Sequence, residues 1–406
     1  MKATKRIAII LAALLTASAL AACNNNSDTK TDGNDTQTDD KTQAETPAGT
    51  LSLADISTQI EAKVGKSDKD SLVVMTLDGY DITYSEYRYY YINYIRQFAN
   101  YYGSDWQSNA QYQEEFDQYF NEAVKMNGLV ANTAAAKGIS LTQEEFDTNV
   151  VGTYDMIAEQ FGEDVENILD KNYGITPYYM MMNETIYNLY TKLYDSLYAE
   201  GGEKYEQVKK DTLDYYAEND IIRAKHVLLQ FPAAEDGSEV TDEQKAETRA
   251  KAEEILAKAK AGNDFDALIA EYNEDPGMQS NPTGYYFGKG EMVAPFEEAA
   301  YALEDGGISE LVETDFGYHI IKRLPLDDAD IVTSPKFSEL AYTDLDAYFN
   351  EKIASTELEE KENFDELVQP IVTEGETYIN DMILQEQAAN GDAAADDDTA
   401  ADDKAE

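Results

Sequence analysis

Apolar and aromatic residues recur at helical spacing through most of the chain, and this pattern predicts a mostly helical protein. Helix starts are predicted where a capping residue precedes such a run: at Thr83 with Glu86, at Thr142 with Glu145, and at Thr176 before Pro177. The apolar run 72–77 is followed by Asp78-Gly79, so we predict one early strand and a turn there.

Residues 219–326 follow a different pattern. Strands are predicted at 222–231, 308–314 and 318–324, and helices at 242–261, 265–272 and 295–303. Helical spacing then returns, although Pro370 is expected to break or bend the helix that contains it. We predict an α+β fold in which a mostly helical domain has two parts, 51–218 and 327–388. An α/β domain of antiparallel sheet plus helices, 219–326, is inserted between them.

The N-terminus has the pattern of a targeting segment. Positive residues precede an apolar run at 7–15 that is too short to span a bilayer. The segment ends in a sequence that resembles a bacterial lipobox, Leu20-Ala21-Ala22-Cys23. We predict a lipoprotein signal peptide at 1–22 and a lipid such as palmitate on Cys23. The alternative is an ordinary secretory signal in which this cysteine is incidental.

Composition and net charge exclude some classes of partner and of structure. The polar segment 23–50 and the acidic segment 389–406 are predicted to be a disordered tether and a disordered tail, because neither has enough apolar surface to bury. The chain has 31 Lys and Arg against 81 Asp and Glu, a formal net charge of −50, which argues against nucleic acid as a partner. Its single cysteine excludes an internal disulfide. The only candidates for imidazole chemistry are His226 and His319.

Four sequence blocks stand in the inserted domain: RAKHVLL at 223–229, EYNEDPG at 271–277, FGKGEMVAPFEEAA at 287–300 and TDFGYHIIK at 314–322. In order and spacing they resemble parvulin-type (PpiC-type) peptidyl-prolyl isomerases, and both histidines of the chain fall on that family's histidine positions. One departure is Gly284, which stands where the family often has an apolar residue.

The resemblance implies a site for rotating the X–Pro amide, with no cofactor and no metal. It assigns catalytic positions to His226, Asp275, Thr314 and His319, and substrate-binding positions to Met292, Phe296 and Phe287. On physical grounds, two neutral histidines oriented by Asp275 and Thr314 would hold the floor of an apolar slot rather than act as nucleophile or general base.

Other interpretations stay open from the residues alone. The two histidines and Asp275 have the chemistry of metal ligands, but no local spacing supports a metal site. His226 on an apolar strand is also compatible with a buried structural histidine. Met292 and Phe296, four residues apart, are by default core residues.

Taken together, lipobox, tether and split helical domain resemble the PrsA-type foldase lipoproteins of Gram-positive bacteria. The resemblance implies an isomerase and chaperone, lipid-anchored on the extracytoplasmic face of the cell membrane, whose partners are unfolded or nascent secreted proteins with X–Pro bonds. The alternative is a catalytically silent, lipid-anchored holdase. A surface adhesin is disfavoured because neither repeats nor a sugar-binding motif is evident, and the sequence leaves homodimer formation open.

Overall fold

The computed structural model describes residues 49–232, 240–326 and 329–399. The predicted signal peptide, Cys23, most of the tether and the end of the acidic tail therefore lie outside the described residues. Within the described ranges, no helix has the length and apolar content needed to cross a bilayer.

The strands are β1 (Thr50–Leu51), β2 (Val73–Leu77), β3 (Tyr80–Thr83), β4 (Leu141–Thr142), β5 (Ile222–Gln230), β6 (Tyr285–Phe287), β7 (Val312–Thr314), β8 (Gly317–Leu324) and β9 (Glu359–Glu360). The first helices are α1 (Leu53–Val64), α2 (Asp68–Ser71), α3 (Tyr84–Tyr102), α4 (Ala110–Ala136), α5 (Gln143–Glu145), α6 (Gly152–Phe161), α7 (Val165–Ile168), α8 (Pro177–Tyr198) and α9 (Tyr205–Glu218). The remaining helices are α10 (Asp242–Lys260), α11 (Phe265–Tyr272), α12 (Gly277–Ser280), α13 (Ala294–Tyr301), α14 (Pro335–Ser355) and α15 (Phe364–Thr399). Short 3₁₀ turns occupy Trp106–Ser108, Gly162–Asp164 and Ala329–Thr333, and π-helical turns occupy Phe146–Val151 and Leu169–Tyr173.

The chain divides into two compact units, and the first joins the N-terminal and C-terminal helical parts. It comprises residues up to 194 and from 346 onward. Its central helix is α3, and α15 packs closely against it. The two helices approach each other at Gly375 of α15, where a Cβ atom would lie 3.0 Å from the Tyr91 ring. The predicted α+β fold, with a domain of antiparallel sheet and helices inserted between two helical parts, is confirmed.

A buried ion-pair cluster ties these two parts of the first unit together. Arg88 in α3 donates through Nε and Nη2 to the two carboxylate oxygens of Glu374 in α15, both at 2.7 Å, and through Nη1 to Asp170 at 2.8 Å. The Arg88 side chain is only 7% exposed, whereas both acids are partly exposed. This two-pronged geometry fixes the angle between α3 and α15 as well as their contact.

The single early strand predicted at 72–77 is half of a hairpin. Asp78 and Gly79 have φ values of 47° and 85°, and two consecutive positive φ values are typical of the tight turn that joins β2 to β3. Strand β2 also pairs with β9, which gives a three-stranded antiparallel sheet in the order β3-β2-β9. In addition, Thr50, predicted to lie in the tether, pairs with Thr142 between β1 and β4.

The capping predictions differ in outcome. Thr142 and Glu145 form the reciprocal capping box as predicted. The Thr176 hydroxyl accepts the backbone N–H of Tyr179 at 3.0 Å, and α8 begins at Pro177. At the third site Thr83 caps α3, but the Glu86 side chain does not return to the cap. It turns into the core instead.

The second unit, residues 195–345, contains a four-stranded antiparallel sheet in the order β6-β5-β8-β7. One face packs on α10 and α11 through a core that includes Val227, Leu229 and Ile320. The opposite face packs on α13 through a core that includes Ala224 and Ile321. This alternation along β5 and β8 follows directly from the two-residue period of a strand.

This unit is wider than the predicted 219–326. Helix α9 belongs to it because Tyr216 stacks on Tyr286 of β6, with ring centroids 5.3 Å apart, and because Tyr205 contacts Phe337 of α14 at 6.0 Å. The strand predicted at 308–314 is shorter, since only Val312–Thr314 is regular. The Ser309 hydroxyl accepts the Ile321 backbone N–H at 2.9 Å and so interrupts the ladder.

The C-terminal part of the chain contains one long helix, α15. This helix does not end at Pro370, where a break or a bend is predicted. It runs to Thr399 and so enters the segment predicted to be an acidic disordered tail, and the disorder of that tail stays a prediction.

Candidate active site

The two histidines meet because they project from the same face of neighbouring strands. In the β5–β8 pair His226 lies opposite Ile321, and His319 lies opposite Leu228. The two histidines are therefore diagonal neighbours, a position from which aromatic side chains reach each other across a sheet. Their ring centroids are 5.1 Å apart.

Asp275 is brought to this face by a loop that is fastened to β5. The backbone N–H of Leu228 donates to the Asn273 side chain, and the N–H of Glu274 donates to the Leu228 carbonyl, both at 2.9 Å. The Asp275 carboxylate then accepts the backbone N–H of Gly277 at 2.9 Å, which holds the carboxylate in one orientation.

These side chains form one continuous line of hydrogen bonds. Asp275 Oδ2 lies 2.8 Å from His226 Nε2, and the two Nδ1 atoms of His226 and His319 lie 3.2 Å apart. His319 Nε2 lies 2.8 Å from the hydroxyl of Thr314. The geometry thus joins the four residues His226, Asp275, Thr314 and His319 to one another.

The order of partners defines the protons on both rings. An ionised carboxylate only accepts, so His226 carries its proton on Nε2 and offers an unprotonated Nδ1. His319 must then donate from its own Nδ1, which leaves its Nε2 to accept from the Thr314 hydroxyl. All four ring nitrogens are engaged, and each imidazole is neutral.

Burial favours these neutral forms. Desolvation, reinforced by the neighbouring His226, lowers the pKa of His319 to about 4. Desolvation also lowers the pKa of His226, although the hydrogen bond to Asp275 opposes it. Partial burial acts to raise the pKa of Asp275, but hydrogen bonds from Gly277, His226 and Tyr285 outweigh it and leave the pKa below its usual value.

The apolar residues predicted to bind substrate occupy different depths. The Phe296 ring stands edge-on to both histidine rings, at centroid distances of 5.3 and 5.4 Å, and Met292 is half-buried beside the same cluster. Phe287, by contrast, is 1% exposed and packs beneath Phe296 at 5.9 Å. Phe287 is therefore enclosed by core residues.

One residue of the site was missed in the sequence. The Tyr285 hydroxyl donates to Asp275 Oδ2 at 2.9 Å, and its ring lies edge-on to His226 at 5.8 Å. The Tyr285 hydroxyl fits because residue 277 is a glycine. A Cβ atom at position 277 would lie only 2.1 Å from this hydroxyl. The sequence contained a signal for Tyr285, because this large side chain directly follows Gly284, where the sequence departs from the family pattern.

Gly284 itself is required by the backbone. It has φ of 108°, and a Cβ atom would come within 3.1 Å of the Ala224 carbonyl and 3.3 Å of Leu324. No apolar wall residue fits at this position in the observed conformation. Tyr285 provides a ring one position later.

Several known proteins are similar to parts of this chain. Residues 204–324 match the family model described as the PPIC-type PPIase domain. The foldase protein PrsA of Geobacillus kaustophilus is 35% identical over 205 residues, which cover 46% of this chain and 68% of that protein. The corresponding protein of Geobacillus sp. strain WCH70 is 32% identical and covers 48% of this chain and 72% of the relative.

Solved structures include PrsA from Bacillus subtilis, 22% identical, covering 76% of this chain and 93% of that one with a TM-score of 0.29. Another is NmPin, the parvuline of Nitrosopumilus maritimus, 36% identical over 26% of this chain and 96% of that one, with a TM-score of 0.19.

The family match and the sheet that carries the paired histidines define a peptidyl-prolyl cis-trans isomerase of the parvulin class, as the four sequence blocks indicated. The two Geobacillus relatives are matched over 68% and 72% of their own length. The chain belongs to the PrsA foldase family, so it combines isomerisation with a chaperone function. Among the described residues, no three His, Cys, Asp or Glu side chains are placed so that together they could hold a metal ion.

Proposed function

We propose that His226, His319, Asp275 and Thr314 form the rigid floor of the isomerase site and that Met292 and Phe296 grip the prolyl ring. The observation that carries this proposal is the unbroken line of hydrogen bonds from Asp275 to Thr314 directly beside the Phe296 ring. Tyr285 acts through Asp275 as a positioning residue, and Phe287 supports Phe296 from below.

The reaction needs no covalent chemistry. Rotation about an X–Pro bond is slow because the amide must lose its resonance, at a barrier of roughly 20 kcal/mol. The twisted amide has less charge separation than the planar one, so a dry, neutral site favours it. Neutral histidines whose nitrogens are all engaged provide such a floor without offering a base or a nucleophile.

The protonation pattern is directly measurable because the chain has only two histidines. In untagged protein, nitrogen-15 NMR at neutral pH should show His226 protonated on Nε2 and His319 protonated on Nδ1. His319 should gain its second proton only near pH 4, the value to which burial lowers its pKa. A charged imidazole at neutral pH, or the same tautomer on both residues, would contradict the proposed floor.

Tyr285→Phe tests the positioning role. Loss of the hydroxyl removes a hydrogen bond to a charged carboxylate, so we expect kcat/KM to fall roughly threefold to tenfold. The same hydrogen bond helps to keep the pKa of Asp275 low, so the acid limb of the pH–rate profile should move to higher pH. Tyr272→Phe is the matched control, because that hydroxyl contacts Lys258 instead. An unchanged acid limb in Tyr285→Phe would reject the role.

We further propose that the protein works outside the cytoplasm, on secreted chains, and is attached to the membrane through a lipid on Cys23. The proposal rests on the charged, apolar and small-residue pattern that ends in Leu20-Ala21-Ala22-Cys23. The substrate proteins would be unfolded chains with X–Pro bonds. The strong negative charge favours basic segments among them.

The anchor is tested by Cys23→Ser in cells that express the full chain. We expect the wild type in the membrane fraction, with a lipid mass on the mature N-terminal cysteine by mass spectrometry. The variant should lose that mass and leave the membrane fraction, because a serine cannot form the thioether. Unmodified wild-type Cys23 would instead support an ordinary secretory signal.

A further inference from the structure

The turn between α3 and α4, in the helical unit, carries a column of aromatic rings. Tyr101 lies edge-on to Tyr102 with centroids 4.7 Å apart, and Tyr102 stacks on Tyr112 at 4.1 Å with an interplanar angle of 22°. Tyr102 also contacts Phe98 at 5.5 Å, which in turn contacts Trp106 at 5.2 Å. The rings therefore form one connected aromatic cluster, in which Tyr102 and Tyr112 are stacked face to face.

The aromatic cluster runs from the core to the surface. Phe98 and Trp106 are 4% and 2% exposed, Tyr102 and Tyr112 are half-buried, and Tyr101 is 73% exposed. Because the buried rings fix the outer ones, the exposed faces lose little freedom when a partner docks on them. We call the three outer residues, Tyr101, Tyr102 and Tyr112, the tyrosine platform.

The chain segment that contains the platform is acidic. The sequence between Arg96 and Lys125 contains no Lys or Arg and carries the acids Asp105, Glu114, Glu115, Asp117 and Glu122. The Tyr102 hydroxyl donates to Glu115 at 2.9 Å, which places a carboxylate directly at the platform. The combination of fixed tyrosine faces and carboxylates complements a partner that is both apolar and cationic.

We propose that the tyrosine platform binds proline-containing segments of unfolded substrate proteins in which Lys or Arg stands next to the proline. Prolyl rings suit flat aromatic surfaces, and proline-rich chains are already extended, so they lose little entropy on docking. The neighbouring cation meets the carboxylates and the tyrosine faces. This binding goes beyond the proposed catalytic site, since the platform lies in the other unit and uses none of the catalytic residues.

The test is fluorescence anisotropy of the full chain with a short labelled peptide of repeated Lys-Pro pairs. Loss of two rings of the platform in the double variant Tyr101→Ala, Tyr112→Ala should weaken binding roughly tenfold. Single Tyr101→Ala, at the most exposed position, should weaken it less and keeps the test valid if the double variant misfolds. Tyr348→Ala, an exposed tyrosine at 36% elsewhere in the same unit, should bind like the wild type.

Changes to the peptide and to the isomerase site distinguish binding at the platform from binding elsewhere on the chain. Peptides with Pro replaced by Ala, or Lys replaced by Glu, should bind more weakly, and His226→Ala should bind the original peptide normally. Wild-type affinity in both platform variants would overturn the proposal, as would equal binding of the proline-free peptide. So would loss of binding in His226→Ala, which would place the peptide in the isomerase site. Self-association that disappears in Tyr101→Ala would assign the platform to a second copy of this chain.

Discussion

Replacing His226 by alanine is expected to lower kcat/KM for isomerisation of a short proline-containing peptide about a hundredfold, equivalent to about 2.7 kcal/mol of transition-state stabilisation. The variant removes the central link between His319 and Asp275. It leaves the buried Nδ1–H of His319 without its acceptor, and such a group costs about 1–3 kcal/mol. It also opens space against the Phe296 ring, which stands on His226 at 5.3 Å.

A protease-coupled isomerisation assay measures this effect, with circular dichroism to show that the variant is folded. Tyr318→Phe is the matched control, because Tyr318 lies on β8 next to His319 but faces the opposite core and loses only a hydroxyl bonded to Glu313. Near-normal activity in a folded His226→Ala variant would show that the hydrogen-bonded floor is dispensable and that apolar contacts alone lower the barrier.

The paired histidines are the part of the site that the sequence predicted best. The alternation along β5 and β8 is local, and the register between these strands brings the histidines together without further information. The four sequence blocks pointed to Asp275 and Thr314 as well. Phe287, which the resemblance implies to bind substrate, has its side chain in the core beside Phe296.

Features that depend on contacts between residues far apart in the sequence could not be predicted from local patterns. Strand β9 pairs with β2 although Glu360 is far from its partner Met75 along the chain, and the two acidic residues of β9 carry no strand signal of their own. Tyr285 was missed because its role arises from the absence of a side chain at Gly277, a long-range steric relation.

The Thr83–Glu86 motif predicts a capping box, but the structure buries the Glu86 side chain instead. The Thr83–Glu86 spacing fits a capping box, and the cap is formed, but the carboxyl is only 2% exposed and lies in the core of the helical unit. The Tyr80 hydroxyl donates to it at 3.2 Å. Burial raises the pKa of Glu86 to about 8, with hydrogen bonds from Asn127 and Tyr80 only partly opposing the shift. The folded unit therefore holds this side chain as a neutral acid at neutral pH.

Consequently, the stability of the helical unit should fall as pH rises through the range in which Glu86 ionises. In the unfolded chain the carboxyl ionises near its ordinary pKa of about 4.5, but in the folded unit it does so only near 8. The folded state thus binds the proton more tightly, and its advantage is complete below the lower value and lost above the upper one. Relative to Glu86→Gln, which stays neutral, the wild type should lose about 3–5 kcal/mol of unfolding free energy between roughly pH 5 and pH 9.

The chain supplies its own probe for this measurement. Its single tryptophan, Trp106, is 2% exposed in the helical unit, so urea titrations followed by tryptophan fluorescence report on that unit rather than on the isomerase domain. Other titrating groups are common to both proteins and cancel in the difference. Glu61→Gln, at an exposed position on α1, should leave the wild-type pH dependence unchanged. Parallel stability curves for the wild type and Glu86→Gln would mean that the Glu86 carboxyl reaches water in the folded state, and that α3 is less tightly enclosed than its burial indicates.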